Sequence, residues 1–64
     1  MKIRYDDQVD VLYVRFAGSK SVESEEVHPG IVLDFDREGR IVAIELLDAK
    51  RQLPPTALND IKAA

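Results

Sequence analysis

The segment from residue 30 to residue 47 limits the possible folds more than any other part of the chain. It reads Gly-Ile-Val-Leu-Asp-Phe-Asp-Arg-Glu-Gly-Arg-Ile-Val-Ala-Ile-Glu-Leu-Leu, with β-branched residues on both sides of an acidic, glycine-containing centre. β-Branched residues favour strands. Asp36 and Gly39 stand at the first and last positions of a type I turn. The segment therefore predicts an antiparallel hairpin in which Asp36 and Gly39 are the structural turn residues.

The same segment carries the spacing of a calcium-binding EF-hand loop, because oxygen-bearing side chains surround a central glycine and Glu45 closes the series. An EF-hand loop lies between two helices, whereas the flanking residues here favour strands. In a hairpin, Glu45 lies about 16 Å along the strand from the turn. Calcium ligands must converge to about 2.5 Å from the ion. We therefore predict no metal site and treat calcium binding as the least favoured alternative.

The chain has only 64 residues, which predicts a single small domain over residues 1–64. A domain of about 60 residues buries only about 60% of the surface of its unfolded chain, so its core is marginal. Cysteine is absent, so neither a disulfide nor a thiolate zinc site can supplement that core. We expect self-association or a partner protein to do so. No segment is long and apolar enough for a signal peptide or a membrane span, which predicts a cytoplasmic protein without membrane contact.

The charge of the chain argues against nucleic acid as a partner. Twelve acidic and nine basic side chains give a net charge of −3, and the basic residues are scattered. The acidic residues are most concentrated at residues 23–26, which read Glu-Ser-Glu-Glu. Such a segment is usually a solvated loop, and the alternative is that it attracts a small basic partner protein.

The predicted fold is α+β, mainly β: a four-stranded antiparallel meander sheet with a short C-terminal helix. The strands are predicted at about residues 2–5, 10–16, 31–36 and 40–47, and the helix at about residues 55–63. Asp48 is a candidate N-cap for one helical turn that ends before Pro54. Residues 17–29 are rich in turn-forming residues and predict a long loop, with an edge strand at residues 22–27 as the alternative.

The register of the hairpin predicts an interaction surface. A three-residue loop sets Phe35 opposite Ile41, Leu33 opposite Ala43 and Ile31 opposite Glu45. Both faces of the sheet are then apolar, whereas a sheet with one solvated face alternates apolar and polar residues. We predict that one of these faces holds a homodimer together, through Val32, Val42, Ile44 and Leu46. The alternative is a register shifted by one residue, with the helix and the long loop covering the sheet.

The side chains capable of chemistry form no recognised catalytic pattern. His28 is the only histidine, and Pro29 and Gly30 beside it argue against the helix that a Glu-x-x-His metal motif needs. We interpret it as a loop histidine and predict no catalytic residue and no cofactor. Glu45 lies within an apolar run, where an unpaired charge is costly. We therefore predict a structural ion pair between Glu45 and one of the basic residues Arg15, Lys50 and Arg51.

Several segments occur together in a characteristic order: Tyr5-Asp6, Asp10-Val-Leu-Tyr-Val-Arg-Phe16, Pro29-Gly-Ile-Val-Leu-Asp-Phe-Asp36 and Gly39-Arg-Ile-Val-Ala-Ile-Glu-Leu-Leu47. Over about residues 3–53 this pattern resembles the short bacterial domain-of-unknown-function family 2283, although Ala43 stands where such sequences usually have glycine. The resemblance implies a small, mostly antiparallel β-domain without established catalytic residues. It also implies a place in small two-gene cassettes, sometimes beside a toxin-like partner.

Two classes of function remain open from the sequence. The preferred one is a non-enzymatic protein-interaction module, such as an antitoxin-like or regulatory partner in a two-gene cassette. The competing one is a small enzyme or ligand-binding protein with an acidic site at a dimer seam, around Asp34, Asp36 or Glu45.

Overall fold

A computed structural model describes residues 1–63 of the chain. Five strands precede two helices; they are β1 (Lys2–Asp6), β2 (Val11–Arg15), β3 (Glu23–His28), β4 (Ile31–Phe35), β5 (Ile41–Leu47), α1 (Ala49–Gln52) and α2 (Pro55–Ala63). All strands pair antiparallel in one sheet with the order β1-β2-β5-β4-β3. The predicted α+β, mainly β class and the C-terminal helix are confirmed.

The prediction of a four-stranded meander is wrong in two respects. Residues 23–28, predicted first as part of a loop, form the additional strand β3, as the alternative interpretation proposed. All six residues of β3 are exposed, and the strand shows no apolar alternation. As an edge strand it is held by backbone hydrogen bonds to one neighbour only. In addition, β5 lies between β4 and β2. The most apolar strand therefore takes the centre of the sheet, where both of its edges are paired.

A β-bulge changes the register of the hairpin formed by β4 and β5. Phe35 lies opposite Ile41, as predicted, but Val42 is an extra residue, so the next pair is Asp34 and Ala43. The two remaining predicted pairs are wrong, since Leu33 lies opposite Ile44 and Ile31 opposite Leu46.

Because successive residues of a strand point to opposite faces, this one-residue shift changes which side chains share a face. Ile44 and Leu46 lie on the face of Leu33 and Ile31, whereas Val32 lies on the other face, opposite Glu45. The predicted grouping of Val32, Val42, Ile44 and Leu46 on one face is therefore wrong.

The turn between β4 and β5 is held by Asp36. Its Oδ1 accepts hydrogen bonds from the backbone N–H groups of Glu38 and Arg40, both at 2.9 Å. Its backbone carbonyl accepts the Gly39 N–H at 3.0 Å. Gly39 has a φ of 80°, a left-handed conformation that glycine adopts without strain. The turn therefore has the geometry that its residues predict.

Asp10 connects the β1–β2 turn to α1. Its backbone carbonyl accepts the Ala49 N–H at 3.0 Å, and both of its carboxylate oxygens accept the backbone N–H of Lys50 at 3.2 Å. The same carboxylate accepts the Tyr5 hydroxyl at 2.6 Å. Asp48 occupies the N-cap position, but its side chain makes no capping hydrogen bond. The predicted capping role of Asp48 is thus taken by a residue that lies far away in the sequence.

The apolar core is small. The buried apolar residues of the described chain are Leu12, Val42, Ala43, Ala49 and Leu58, of which two are alanines. No large side chain among residues 1–63 is completely buried. In the same part of the chain, neither helix has the length and apolar character needed to cross a membrane.

Candidate interaction surface

One face of the sheet is almost entirely apolar, and we call it the apolar face. Cross-strand pairing places its side chains in rows that run from β1 to β4. The first row contains Tyr5, Leu12, Leu46 and Ile31; the second contains Ile3, Val14, Ile44 and Leu33; the third contains Ile41 and Phe35. An antiparallel sheet with such a face requires a second layer to cover it.

The helices supply that layer at one end only. α2 packs against β1 and α1. Lys62 Nζ of α2 lies 5.5 Å from the centroid of the Tyr5 ring, which places α2 over the first row. Leu12, in the same row, is only 3% exposed, and Leu58 of α2 is buried as well. The end of the apolar face that lies next to the helices is therefore covered.

The other end of the apolar face is open to solvent. In the second and third rows, Ile3 is 50% exposed and Ile41 is 46% exposed. Phe16 continues the alternation of β2 onto the same face, with its N–H bonded to the Val42 carbonyl at 2.8 Å, and it is exposed too. We call this region the open patch; it consists of Ile3, Val14, Phe16, Leu33, Phe35, Ile41 and Ile44.

The size of the open patch is that of a functional surface. Four strands spaced about 4.8 Å apart, with two rows of side chains about 7 Å apart, give roughly 250 Å² before Phe16 is added. Patches of about 300 Å² and above on soluble proteins are often binding sites. At its β3 side the patch ends in two carboxylates, since Glu25 lies opposite Leu33 and Glu23 opposite Phe35. The open patch is thus apolar at its centre and acidic at one rim.

The opposite face of the sheet contains a polar cluster, formed by Ser24, Asp34 and Glu45. Asp34 is only 6% exposed, and its Oδ1 accepts a hydrogen bond from Ser24 Oγ at 2.6 Å. Burial raises the pKa of Glu45, and the negative charge of Asp34 raises it further. This cluster holds two of the acids predicted for an acidic site, whereas Asp36 lies in the turn beside it.

An ion pair would instead lower the pKa of Glu45, because a cation favours the charged carboxylate. Arg15, one of its predicted partners, donates hydrogen bonds to the Tyr13 hydroxyl at 3.1 Å and to the Ser19 carbonyl. The geometry therefore does not support the predicted structural ion pair of Glu45 with Arg15. The neighbour of Glu45 on β2 is Tyr13, which lies directly opposite it in the β2–β5 pairing.

The polar cluster and the only histidine lie on opposite faces of the sheet. His28 is the last residue of β3 rather than a loop residue, which corrects its predicted location. It lies opposite Ile31 on the apolar face, whereas Ser24 lies opposite Asp34 on the other face. The sheet therefore separates the only histidine from the hydroxyl that bonds Asp34. In the described part of the chain, no three His, Cys, Asp or Glu side chains are arranged to hold a metal ion.

A family model described as "Protein of unknown function (DUF2283)" matches residues 2–50, which include all five strands. The chain belongs to the DUF2283 family. The match contains every residue of the open patch and of the polar cluster, and it ends at the start of the helical region. No curated protein and no solved structure matches this DUF2283 chain.

Three residues of this DUF2283 surface were absent from the predicted interface. Ile3, Val14 and Phe16 belong to the open patch, and only the alternation of apolar residues along β1 and β2 indicated them. The contacts of Asp10 had no signal in the sequence, because they depend on a helix that follows 40 residues later. Of the predicted interface residues, Ile44 lies in the open patch and Leu46 lies in the row next to the helices.

Proposed function

We propose that this DUF2283 chain is a non-enzymatic protein-interaction module and that the open patch is its binding surface. The observation that carries the proposal is the exposure of large apolar side chains in adjacent strands of one sheet face, including Ile3, Ile41 and Phe16. Each Å² of apolar surface that a partner removes from water contributes about 25 cal/mol to the free energy of binding. Since Ile3 and Ile41 stay about half exposed although the helices are packed, another protein surface is needed to remove these rows from water.

The acidic rim narrows the kind of partner. A partner protein that enters the open patch meets Glu23 and Glu25 along β3. Charges at the rim of an interface mainly affect the association rate and the choice of partner, rather than the affinity. An antitoxin-like or regulatory role beside a small basic protein is consistent with this arrangement and with the net charge of −3.

A second candidate function is a ligand site at the polar cluster. It is favoured by the nearly complete burial of Asp34 and by the raised pKa of Glu45, since perturbed carboxyl groups often mark functional sites. The separation of His28 from Ser24 counts against hydrolytic chemistry there. Native mass spectrometry of the protein purified from its host tests this candidate. A ligand site requires a bound small molecule on the unmodified protein and its loss in the Asp34→Asn variant.

In-cell photocrosslinking tests the interaction module. A photoreactive phenylalanine analogue is incorporated at Ile41 in the open patch, and in a second strain at Val9. Val9 is the matched control, because it is an even more exposed apolar residue, at 63%, but lies in the β1–β2 turn next to the helices. We expect covalent protein adducts at position 41 and few or none at position 9.

The photocrosslinking result also has a clear negative outcome. Equal yields at the two positions would show that exposure alone explains the adducts. The absence of any adduct at position 41 would show that the open patch is not a protein-binding surface. The mass of the adduct identifies the bound protein, whether it is a second copy or another protein.

A further inference from the structure

We infer that the outer edge of β3 binds an extended, basic segment of the partner protein, which joins the sheet as an additional strand. This inference rests on the proposed function, because it names the chemistry of the partner and the way it attaches beside the open patch. Strand addition at an exposed sheet edge is a known mode of peptide recognition, in which backbone hydrogen bonds give affinity and alternate side chains give specificity.

Of the two edges of the described sheet, β3 is the open one. β1 and β3 are the outer strands, and each pairs with one neighbour in the described part of the chain. α2 packs against β1, whereas all six residues of β3 are exposed. An unpaired edge presents a row of backbone N–H and C=O groups to which another strand can bond. The outer side of β3 is therefore accessible to a partner.

The hydrogen bonds of β4 show which of its residues bond to β3. The Leu47 N–H bonds the Gly30 carbonyl at 2.8 Å, so residues 30, 32 and 34 direct their backbone groups towards β5. The residues between them direct theirs towards β3. In agreement, the Phe35 carbonyl accepts the Val22 N–H at 2.8 Å.

The same alternation identifies the free backbone groups of β3. Glu25 lies opposite Leu33, which bonds towards β3, so the backbone groups of Glu25 point inward. Ser24 and Glu26 lie opposite the residues that bond β5, and their N–H and C=O groups therefore point outward. A bulge at residue 27 ends the regular part of the strand. The edge thus offers two donors and two acceptors to one short segment.

The side chains beside this backbone row select a basic segment. Glu23 and Glu25 lie on the apolar-face side of β3 and are exposed. A residue of an added strand that lies directly opposite either glutamate has its Cβ about 5 Å from that of the glutamate. Opposite charges at such positions are stabilising. The matching segment therefore has Lys or Arg at two positions separated by one residue.

The glutamates also exclude the other strands that an open edge attracts. A second copy of β3 would place glutamate beside glutamate, and like charges directly opposite each other are destabilising. Charged side chains on an edge strand protect it from unspecific pairing in the same way. A basic segment is the one class of strand for which these charges are favourable, so they give specificity as well as protection.

Nuclear magnetic resonance with a synthetic peptide tests the inference. The probe is a capped peptide of about seven residues in which lysine alternates with valine, long enough to span the regular part of β3. We expect it to slow the hydrogen exchange of the Ser24 and Glu26 amides several-fold. The Glu25 amide is the internal control and should change little, because it already bonds to β4.

Two modified peptides separate strand addition from charge attraction, and neither requires a protein variant. In one peptide glutamate replaces lysine, and in the other the backbone nitrogens are methylated while the lysines are kept. We expect neither peptide to bind, since the first reverses the charge and the second removes the N–H donors that an added strand needs.

A charge-matched pair of protein variants locates the site. Glu25→Gln should weaken binding of the lysine peptide by about 2- to 5-fold at low salt, the usual range for an exposed ion pair. Asp60→Asn removes one charge from an exposed position of α2, which packs against β1 at the other edge. It should leave the affinity unchanged.

Several results would overturn the inference. One is that the N-methylated peptide binds as well as the unmodified one, and another is that β1 amides are protected instead of Ser24 and Glu26. No change in any amide at millimolar peptide is a third. If the peptide fails while photocrosslinking at position 41 captures a protein, the interaction module stands and the β3 edge is refuted. If the peptide adds to β3 but position 41 captures nothing, the edge inference holds and the open patch is not a binding surface.

Discussion

The three glycines of the chain allow a graded test of how α1 is attached to the sheet, and Gly30→Ala is the most informative substitution. Gly30 has a φ of 82°, and a Cβ added there would lie 3.2 Å from the Leu47 carbonyl oxygen and too close to Gln52 Nε2. That amide donates hydrogen bonds to the Pro29 carbonyl at 3.3 Å and to the Leu47 carbonyl at 3.2 Å. A methyl group at position 30 therefore displaces the side chain that joins α1 to the β3–β4 turn.

The expected magnitudes differ at the three sites. An alanine in the left-handed region costs about 1–2 kcal/mol, and displacing Gln52 adds about 1 kcal/mol for its hydrogen bonds. Gly30→Ala should therefore lower the free energy of unfolding by about 2–3 kcal/mol, a large share of the roughly 3–10 kcal/mol expected for a chain of this length. Gly39 has a φ of 80° and no atoms near its added Cβ, so Gly39→Ala should show only the backbone cost of about 1–2 kcal/mol. Gly18 is unstrained and open, so Gly18→Ala should be neutral or stabilising by up to about 1 kcal/mol.

Urea denaturation measures the series, and one fixed protein concentration is used for all variants, because self-association makes apparent stability depend on concentration. If Gly30→Ala destabilises the protein no more than Gly39→Ala, the crowding of residue 30 by Gln52 and Leu47 has no energetic effect. A double-mutant cycle adds an independent check: Gln52→Ala should partly restore the stability of Gly30→Ala, because it removes the crowded amide. The absence of coupling between these two substitutions would show that Gln52 is not packed against Gly30.

Three further predictions follow from the carboxyl groups. The hydrogen bond to Asp10 is the main reason why the pKa of Tyr5 is raised to about 12. Asp10→Asn should therefore lower that pKa towards 10. Phenolate absorbance measures it in a Tyr13→Phe background, which leaves Tyr5 as the only tyrosine. The folded-state pKa of Tyr5 exceeds its unfolded value, so its contribution to stability is present below about pH 10 and is lost as the pH rises towards 12. An unchanged phenolate titration in Asp10→Asn would contradict the role of Asp10. The raised pKa of Glu45 means that its negative charge opposes folding at neutral pH. Glu45→Gln should therefore raise the melting temperature at pH 7 and lose that advantage at acidic pH, where Glu45 is protonated. A variant that is destabilised at pH 7 would indicate a cationic partner of Glu45. Calcium titration should give no saturable heat at sub-millimolar concentrations, because the hairpin keeps Glu45 away from the turn; a micromolar dissociation constant that is lost in Glu45→Gln would contradict the hairpin argument.

Interactions between residues close in sequence were predictable from the sequence alone. The β4–β5 turn depends on Asp36 and on the backbone of the next four residues, so its turn chemistry is visible in the sequence. The strong strand preference of residues 41–47 and the helical spacing after Pro55 are local in the same sense. The family resemblance depended on the same segments, and it is confirmed by the match to the DUF2283 model.

The tertiary structure decided the pairings between distant segments. β3 has an acidic, fully exposed sequence, and it is a strand only because the outer edge of β4 provides its hydrogen bonds. β5 joins β2 to β4, and the bulge at Val42 moves Ile44 to the face opposite that of Val32. A bulge of one residue leaves almost no signal in the sequence, yet it reverses the orientation of each side chain that follows. The amino-acid sequence thus determined which segments are strands and that an apolar surface exists, whereas long-range hydrogen bonding determined which side chains form that surface.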